Sequence, residues 1–173
     1  REAGIGYVPE DRHRRGLLVD APLWENAMLG HQTMAPFARG PFLDRSGARS
    51  ATTRIVEHFD VRTPGIDTSA RALSGGNQQK LVIGREMAAS PRLLVAAHPT
   101  RGIDVGAQAS VWAGLRAARR DGLAMLLVSA DLEELIGLAD RLVVMLRGRV
   151  VAELDPATTT PRILGGYMTG ADE

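Results

Sequence analysis

The sequence predicts an α/β domain, with a helical region in its first half and part of a parallel sheet in its second half. Short apolar runs at residues 93–96, 125–128 and 142–145 are typical of strands that are buried in parallel sheets. Helical segments separate these runs, and strand–helix–strand units of this kind form right-handed crossovers on one sheet. With 173 residues, the chain is long enough to bury one hydrophobic core.

The first half begins with a short strand at residues 5–8, which Pro9 ends. The polar, basic loop EDRHRRG follows the strand. The next stretch is predicted to be mostly helical, with breaks at Pro36, Gly40 and Pro41, because proline and glycine interrupt helices.

Two longer helices are predicted in the rest of the first half. Residues 46–59 have helical spacing, with the apolar side chains of Ile55, Val56 and Phe59 on one side. After the loop TPGIDTSARA, a second helix is expected at residues 75–89, and a Ser-Pro pair closes it.

The second half contains two further predicted helices and a hairpin. The helix at about residues 105–120 has one apolar face, formed by Val105, Ala109, Trp112 and Leu115. The next helix opens with residues 131–134, DLEE, which have the form of a capping box. The sequence MLRGRVV predicts a hairpin that turns at residues 147–148.

Composition excludes several classes of protein. The formal net charge is +1, so no strong field attracts nucleic acid or an anionic membrane. The chain has no cysteine, which excludes disulfides and thiolate metal sites. It opens on Arg-Glu-Ala without a methionine, and nothing precedes the first strand to pair with it. We therefore expect that the chain is a fragment of a longer protein.

The most informative segment is LSGGNQQK, in which Ser74, Gly75 and Gly76 stand where a helix begins. A helix start presents N–H groups without intrahelical partners and the positive end of the helix dipole. Two glycines let a phosphate approach the backbone, and Ser74 adds a hydroxyl donor. The alternative is that Ser74 only caps the helix and the glycines only form a turn.

An ordered series of motifs surrounds this segment: GIGYVPEDR, LSGGNQQK, REMAASP, LLVAA, PTRGID and LLVSADLEEL. In this series the sequence resembles the ATP-binding cassette (ABC) ATPases, and more narrowly the second cassette of tandem-cassette subunits of sugar and nucleoside importers. The resemblance covers about residues 4–170.

The resemblance implies that residues 1–173 form an incomplete ABC ATP-binding domain. About residues 1–20 would supply the Q-loop strand and loop. About residues 21–90 would form the helical subdomain with the signature helix. Residues of about 91–173 would form the C-terminal part of a RecA-like parallel sheet, with a degraded Walker B, a D-loop and a switch loop.

By the same resemblance, Leu73, Ser74, Gly75 and Gly76 match the signature motif, which touches the γ-phosphate of ATP held by the opposite cassette. Asn77 stands where many members have glutamine, so it keeps an amide with a shorter reach.

Two further positions match family motifs. Glu10 occupies the Q-loop position, where the family usually has a glutamine that senses Mg²⁺. Asp104 ends the D-loop motif TRGID, which lies along the interface between cassettes, although an ordinary helix N-cap is an alternative explanation for it.

The parts that a cassette needs to hydrolyse its own ATP are missing or altered. No G-x-x-x-x-G-K-[ST] loop occurs, and the only lysine, Lys80, lies in the signature helix. Ala97 and His98 stand where the family places an aspartate that supports Mg²⁺ and a glutamate that activates water. Ala130 replaces the switch histidine. His98 could act as a base, but without the metal-supporting carboxylate we interpret it as a tolerated replacement.

The resulting hypothesis is an ATP-binding fragment of an ABC importer for sugars or nucleosides. It would complete the ATP site of a first cassette in the same polypeptide, with no intact catalytic residue or metal site of its own, and would be inactive alone. ATP and Mg²⁺ would bind in the full-length dimer. The implied partners are membrane permease subunits, facing residues 21–59 and the Glu10 loop, and a periplasmic or lipoprotein substrate-binding protein. The implied location is the cytoplasmic face of the membrane.

Two other functions remain open. A non-transport ABC ATPase of DNA repair or translation would share the signature, but the short helical insertion and small net charge disfavour it. The only basic cluster, Arg12, Arg14 and Arg15, is explained by a solvated loop, so we expect no nucleic-acid partner. A regulatory module that uses no nucleotide is disfavoured by the intact LSGG. Nothing in the sequence identifies the transported solute.

Overall fold

The structure is a computed structural model that describes residues 3–170. Residues 1–2 of the predicted Q-loop segment and residues 171–173 of the predicted sheet segment lie outside the described residues. The chain divides into two compact units, one before and one after the bond between Leu126 and Leu127. No helix within the described residues is long and apolar enough to cross a membrane.

The strands and helices alternate along the chain and are numbered in order. The strands are β1 Ile5–Val8, β2 Ala38–Arg39, β3 Phe42–Leu43, β4 Leu93–Ala97, β5 Ala124–Val128, β6 Leu142–Leu146 and β7 Arg149–Leu154. The helices are α1 Leu23–Met28, α2 Arg45–His58, α3 Gly75–Ala88, α4 Val105–Arg120, α5 Leu132–Leu138 and α6 Pro161–Thr169. Two short helical turns, Arg12–Gly16 and Ala70–Ala72, stand between these elements.

A parallel sheet with the order β1–β4–β5 forms the centre of the α/β fold. β1 and β4 run parallel, with Ile5 opposite Leu93 and Val8 opposite Ala96. Val8 and Ala96 are buried, whereas Ile5 is 41% exposed, so one face of this strand pair is more open than the other. The predicted α/β class is confirmed, but the prediction of strands buried on both faces is not.

Helix α3 packs against β1 through a buried ion pair. Arg85 and Glu86 are both almost fully buried, and Arg85 Nε donates to Glu86 Oε1 at 2.9 Å. Glu86 Oε2 accepts the backbone N–H of Tyr7 in β1 at 3.2 Å. Arg85 Nη1 also donates to the carbonyl oxygens of Gly16 and Asn26, at 2.8 and 3.2 Å. These bonds fix the second half of α3 to the start of the chain.

The prediction of a mostly helical stretch is wrong for residues 29–43. Helix α1 is only six residues long, and β2 and β3 then form a small antiparallel ribbon. Gly40 in its turn has a φ of 60°, a left-handed conformation that glycine adopts without strain. Helix α2 begins one residue earlier than expected, at Arg45, because Asp44 caps it by accepting the N–H of Gly47 at 2.9 Å.

The predicted apolar face of α4 is also partly wrong. Val105 is 81% exposed and Ala109 is exposed, whereas the buried side chains are Val111 and Leu115. These two lie four residues apart and therefore on one side of the helix. Val105 falls outside this stripe because, at 3.6 residues per turn, it lies roughly 80–120° around the helix from Val111 and Leu115.

In the second unit, α5 begins after Asp131, whose carboxylate accepts the N–H of Glu134 at 3.0 Å. This half of the predicted capping box is confirmed. The N–H of Asp131 itself donates to Ser129 Oγ at 3.0 Å.

Strands β6 and β7 form the predicted hairpin, which turns at Arg147 and Gly148. The assignment of residues 142–145 to the parallel sheet is wrong, because β6 lies in a separate two-stranded antiparallel sheet with β7. Its residues alternate between buried and exposed, which is typical of an antiparallel strand covered on one face. Leu142 and Val144 point to a core shared with Leu164 of α6.

Candidate functional site

The predicted signature segment lies at the exposed start of α3. Leu73 is buried, while Ser74 is exposed and is the N-cap residue of this 14-residue helix. Ser74 Oγ accepts the N–H of Asn77 at 3.4 Å. The capping alternative is therefore observed. Ser74 is exposed and Gly76 is buried at this helix end, whose dipole favours anions.

Both polar atoms of the Asn77 side-chain amide form hydrogen bonds with other residues of the chain. Its Nδ2 donates to Ser74 Oγ at 2.9 Å, and its Oδ1 accepts the N–H of Arg62 at 2.8 Å. These bonds hold Asn77 across the first turn of α3. A direct contact between Asn77 and nucleotide stays a prediction.

The two glycines of the segment are in close contact with other loops. A Cβ on Gly75 would lie 2.8 Å from Arg12 Nη2 and 3.0 Å from the carbonyl oxygen of Gly102. A Cβ on Gly76 would lie 2.4 Å from the Cβ of Ala107, at the start of α4. Close packing is thus a reason for both glycines, in addition to the phosphate approach that the sequence suggested.

Arg12 connects three of the motif-bearing segments. Its Nε donates to Gln78 Oε1 in α3 at 3.2 Å. Its Nη1 and Nη2 donate to the carbonyl oxygens of Arg101 and Gly102, at 2.9 and 3.1 Å, in the loop before α4. Burial lowers the pKa of the Arg12 guanidinium from its usual value, and the charge of Asp11 partly offsets this effect. Sequence reasoning missed this residue and assigned it to a solvated loop.

Glu10 forms an ion pair with Arg101. Both side chains are at least half exposed, so the pair stabilises the fold by no more than about 1 kcal/mol. It does, however, join the loop after β1 to the loop before α4. The structure thus brings the predicted Q-loop residue Glu10 next to the predicted D-loop.

Asp104 is the N-cap of α4, and its Oδ1 accepts the N–H of Ala107 at 2.9 Å. Its other carboxylate oxygen would lie 3.6 Å from a Cβ on Gly76. Asp104 therefore stands beside the signature segment, and the capping explanation for it is observed. Its contribution to an interface between cassettes stays a prediction.

The end of β4 has no carboxylate. Ala97 is the last residue of the strand, and His98 follows with a φ of 47°, a left-handed conformation that is uncommon outside glycine. A methyl group cannot bind a metal, and Mg²⁺ prefers oxygen ligands. The residues at 97 and 98 therefore do not fit an Mg²⁺ site. Across residues 3–170, no three His, Asp or Glu side chains are placed to hold a metal ion.

The predicted switch position, Ala130, lies in the second unit. It is exposed in the short turn between β5 and α5. Its methyl side chain has no atom that could donate a hydrogen bond to a phosphate.

Solved structures with a similar fold are ATP-binding cassettes. One, MJ0796 in a post-hydrolysis dimer bound to ADP and phosphate, has a TM-score of 0.71 at 20% identity, over 88% of this chain and 62% of that one. Another, a nucleotide-free cassette from an ABC transporter, has a TM-score of 0.74 at 20% identity, over 96% of this chain and 69% of that one. The fold is that of an ABC ATPase domain.

Relatives of known function are importer subunits. The guanosine import ATP-binding protein NupO of Bacillus subtilis is 44% identical over 172 residues, which are 99% of this chain and 34% of NupO. The nucleoside import protein NupA of Lactococcus lactis is 41% identical over 99% of this chain and 34% of NupA. The ribose import protein RbsA 1 of Streptomyces avermitilis is 45% identical over 90% of this chain and 30% of RbsA 1.

By sequence, the chain is homologous to these ATP-binding subunits of ABC importers. It spans about a third of their length. No protein-family model matches it.

Proposed function

We propose that this chain is part of the ATP-binding subunit of an ABC importer for nucleosides or simple sugars, and that residues 73–77 complete the ATP site of a partner cassette. The observation that carries the proposal is Ser74, which is exposed at the N-cap of α3 and follows buried Leu73. The N–H groups and dipole at this end attract a phosphate. The partner cassette would hold the rest of the nucleotide.

The chain's own half-site is proposed to be non-hydrolytic. Phosphoryl transfer depends on charge neutralisation and on a group that orients the nucleophile. Ala97 and Ala130 provide neither, and His98 has no carboxylate next to it in sequence to support a metal. Everything that this chain would lend to a neighbour's ATP is present, whereas the groups for its own hydrolysis are absent from its sequence.

The wider assembly is proposed by homology. The relatives are import ATP-binding proteins of about three times the matched length, which leaves room for a first cassette in the same polypeptide. Permease subunits would contact residues 21–59 and the Glu10 loop, and a substrate-binding protein would deliver the solute. ATP and Mg²⁺ would bind between the cassettes, on the cytoplasmic face of the membrane.

The test is the substitution Ser74→Arg in the full-length subunit, assayed for ATP hydrolysis with its permease. We expect turnover to be abolished, because an arginine would fill the space at the start of α3 where the γ-phosphate is expected. Ser110→Arg is the matched control, since Ser110 is also exposed and lies in α4, outside the surfaces proposed to face the permease and the nucleotide. Turnover that survives Ser74→Arg would refute the proposal.

A further inference from the structure

We propose that Arg12 is a positioning residue that makes the turn after β1, the start of α3 and the loop before α4 move as one unit. Through these contacts, a displacement of the Glu10 loop would be transmitted to residues 73–77. The functional part of this inference rests on the proposed function, because it assumes that these residues act on nucleotide. The structural part does not depend on it.

The three hydrogen bonds of Arg12 join parts of the chain that are distant in sequence. Gln78 is 66 residues away, and the carbonyl groups of Arg101 and Gly102 are 89 and 90 residues away. The same guanidinium lies against Gly75, where a Cβ would be 2.8 Å from Nη2. One side chain therefore bridges the first turn of α3 and the loop before α4.

The acceptor in α3 is itself held in place. Gln78 is 5% exposed, and its Nε2 donates to the carbonyl oxygen of Ala70 at 3.0 Å. This bond directs Oε1 towards Arg12, and His13 Nε2 lies 2.8 Å from the same oxygen. The amide oxygen can only accept, so this contact is a hydrogen bond in the His13 tautomer with the proton on Nε2. Arg12 and His13 thus approach one fixed acceptor from the same turn.

The turn that carries Arg12 is compact. The carboxylate of Asp11 accepts the N–H groups of His13 and Arg14, each at 3.1 Å. Glu10, just before the turn, pairs with Arg101, whose carbonyl oxygen also binds Arg12. Glu10 and Arg12 therefore both hold the loop before α4, so the turn and the loop are expected to shift together.

The geometry requires an arginine. A planar guanidinium presents five N–H donors in a rigid fork, so one side chain reaches an amide and two carbonyl groups. A lysine ammonium would keep the charge but is a single point, and it cannot reproduce this spacing. Arg12→Lys is therefore expected to resemble Arg12→Gln rather than the unchanged protein.

The experiment uses the full-length subunit with its permease and compares Arg12→Gln and Arg12→Lys with Arg120→Gln, a change at an exposed arginine at the end of α4. Hydrogen exchange should become at least about tenfold faster at residues 75–78 and 101–107 in both Arg12 variants. The kcat for ATP should fall at least about tenfold, with KM within about twofold, because the contact matters for aligning groups in the transition state. Arg120→Gln should change none of these values.

Exchange rates in the Arg12 variants that equal those of Arg120→Gln would overturn the inference, and so would activity restored by Arg12→Lys. If Arg12→Gln fails to fold, Arg12→Lys, which retains charge and length, decides the question. Failure of the proposed function is recognised separately, by turnover that survives Ser74→Arg. If Ser74→Arg abolishes turnover and the Arg12 variants retain it, the inference alone is wrong.

Discussion

Gly76 lies so close to Ala107 that a Cβ on Gly76 would be 2.4 Å from the Cβ of Ala107. The two residues belong to the first turns of α3 and α4, which therefore meet without an intervening side chain. The start of the signature helix and the loop that Asp104 ends are held at a fixed separation by this contact.

Gly76→Ala is expected to destabilise the protein. An added methyl cannot fit without moving α3 away from α4, and overpacking of this kind costs about 1–3 kcal/mol. Gly114→Ala is the matched control, because Gly114 lies inside α4 with open space where its Cβ would be. That change should stabilise the helix by about 0.5–1 kcal/mol. Urea unfolding would measure both free energies, and equal effects of the two substitutions would contradict the packing argument.

Glu86→Ala is expected to lower the free energy of unfolding by about 3–5 kcal/mol, since it removes the carboxylate that neutralises buried Arg85. It also removes the acceptor of the Tyr7 N–H. Denaturant titration would measure the loss. Glu57→Ala, at an exposed position of α2, should change stability by less than about 0.5 kcal/mol. A small effect at position 86 would mean that the pair contributes little to holding α3.

Asp44 should make stability depend on pH. The N–H of Gly47, and then the charge of Arg39, lower the pKa of the Asp44 carboxyl below its usual value. A group with a lowered folded-state pKa contributes stability that is complete above its unfolded value, roughly pH 4, and is lost as pH falls through the folded value. Asp44→Asn keeps a helix cap but does not titrate. The stability difference between the two proteins should shrink below roughly pH 4, and a constant difference would contradict the assignment.

The 173-residue chain by itself should not bind Mg-ATP specifically, because its sequence contains no glycine-rich phosphate loop with a lysine. Isothermal titration calorimetry with Mg-ATP would measure this directly. Micromolar affinity would show that the chain holds nucleotide without a partner, and the division of roles proposed for the two cassettes would then be wrong.

Local patterns predicted much of the fold. Helix α4 was expected at about residues 105–120 and occupies them, and the hairpin at Arg147 and Gly148 forms as expected. Both features are set by a helix cap or a turn, whose residues lie within a few positions of one another in the sequence. The pairing of β6 was wrong because a short apolar run does not distinguish a strand of a parallel sheet from a half-covered antiparallel strand.

The contacts of the candidate site were less predictable than its motifs. Ser74, Gly75 and Gly76 were located from their pattern at a helix start. Arg12 carried no local signal, because its partners lie 66 to 90 residues away, and a basic cluster in a loop is usually solvated. The buried face of α4 was misplaced because two apolar stripes fit its sequence, and only the packing of Val111 and Leu115 shows which one is covered.

The buried pair of Arg85 and Glu86 anchors α3 near its C-terminal end. It fixes the helix near one end, while Gly75 stands at the other, about 16 Å away at the rise of an α-helix. A tilt of α3 by about 10° around this anchor would move Gly75 by about 3 Å, which is the donor–acceptor distance of a hydrogen bond. If residues 73–77 bind a phosphate as proposed, a slight rotation of α3 at the sheet, shared by the loop before α4, would decide whether the start of the helix reaches that phosphate.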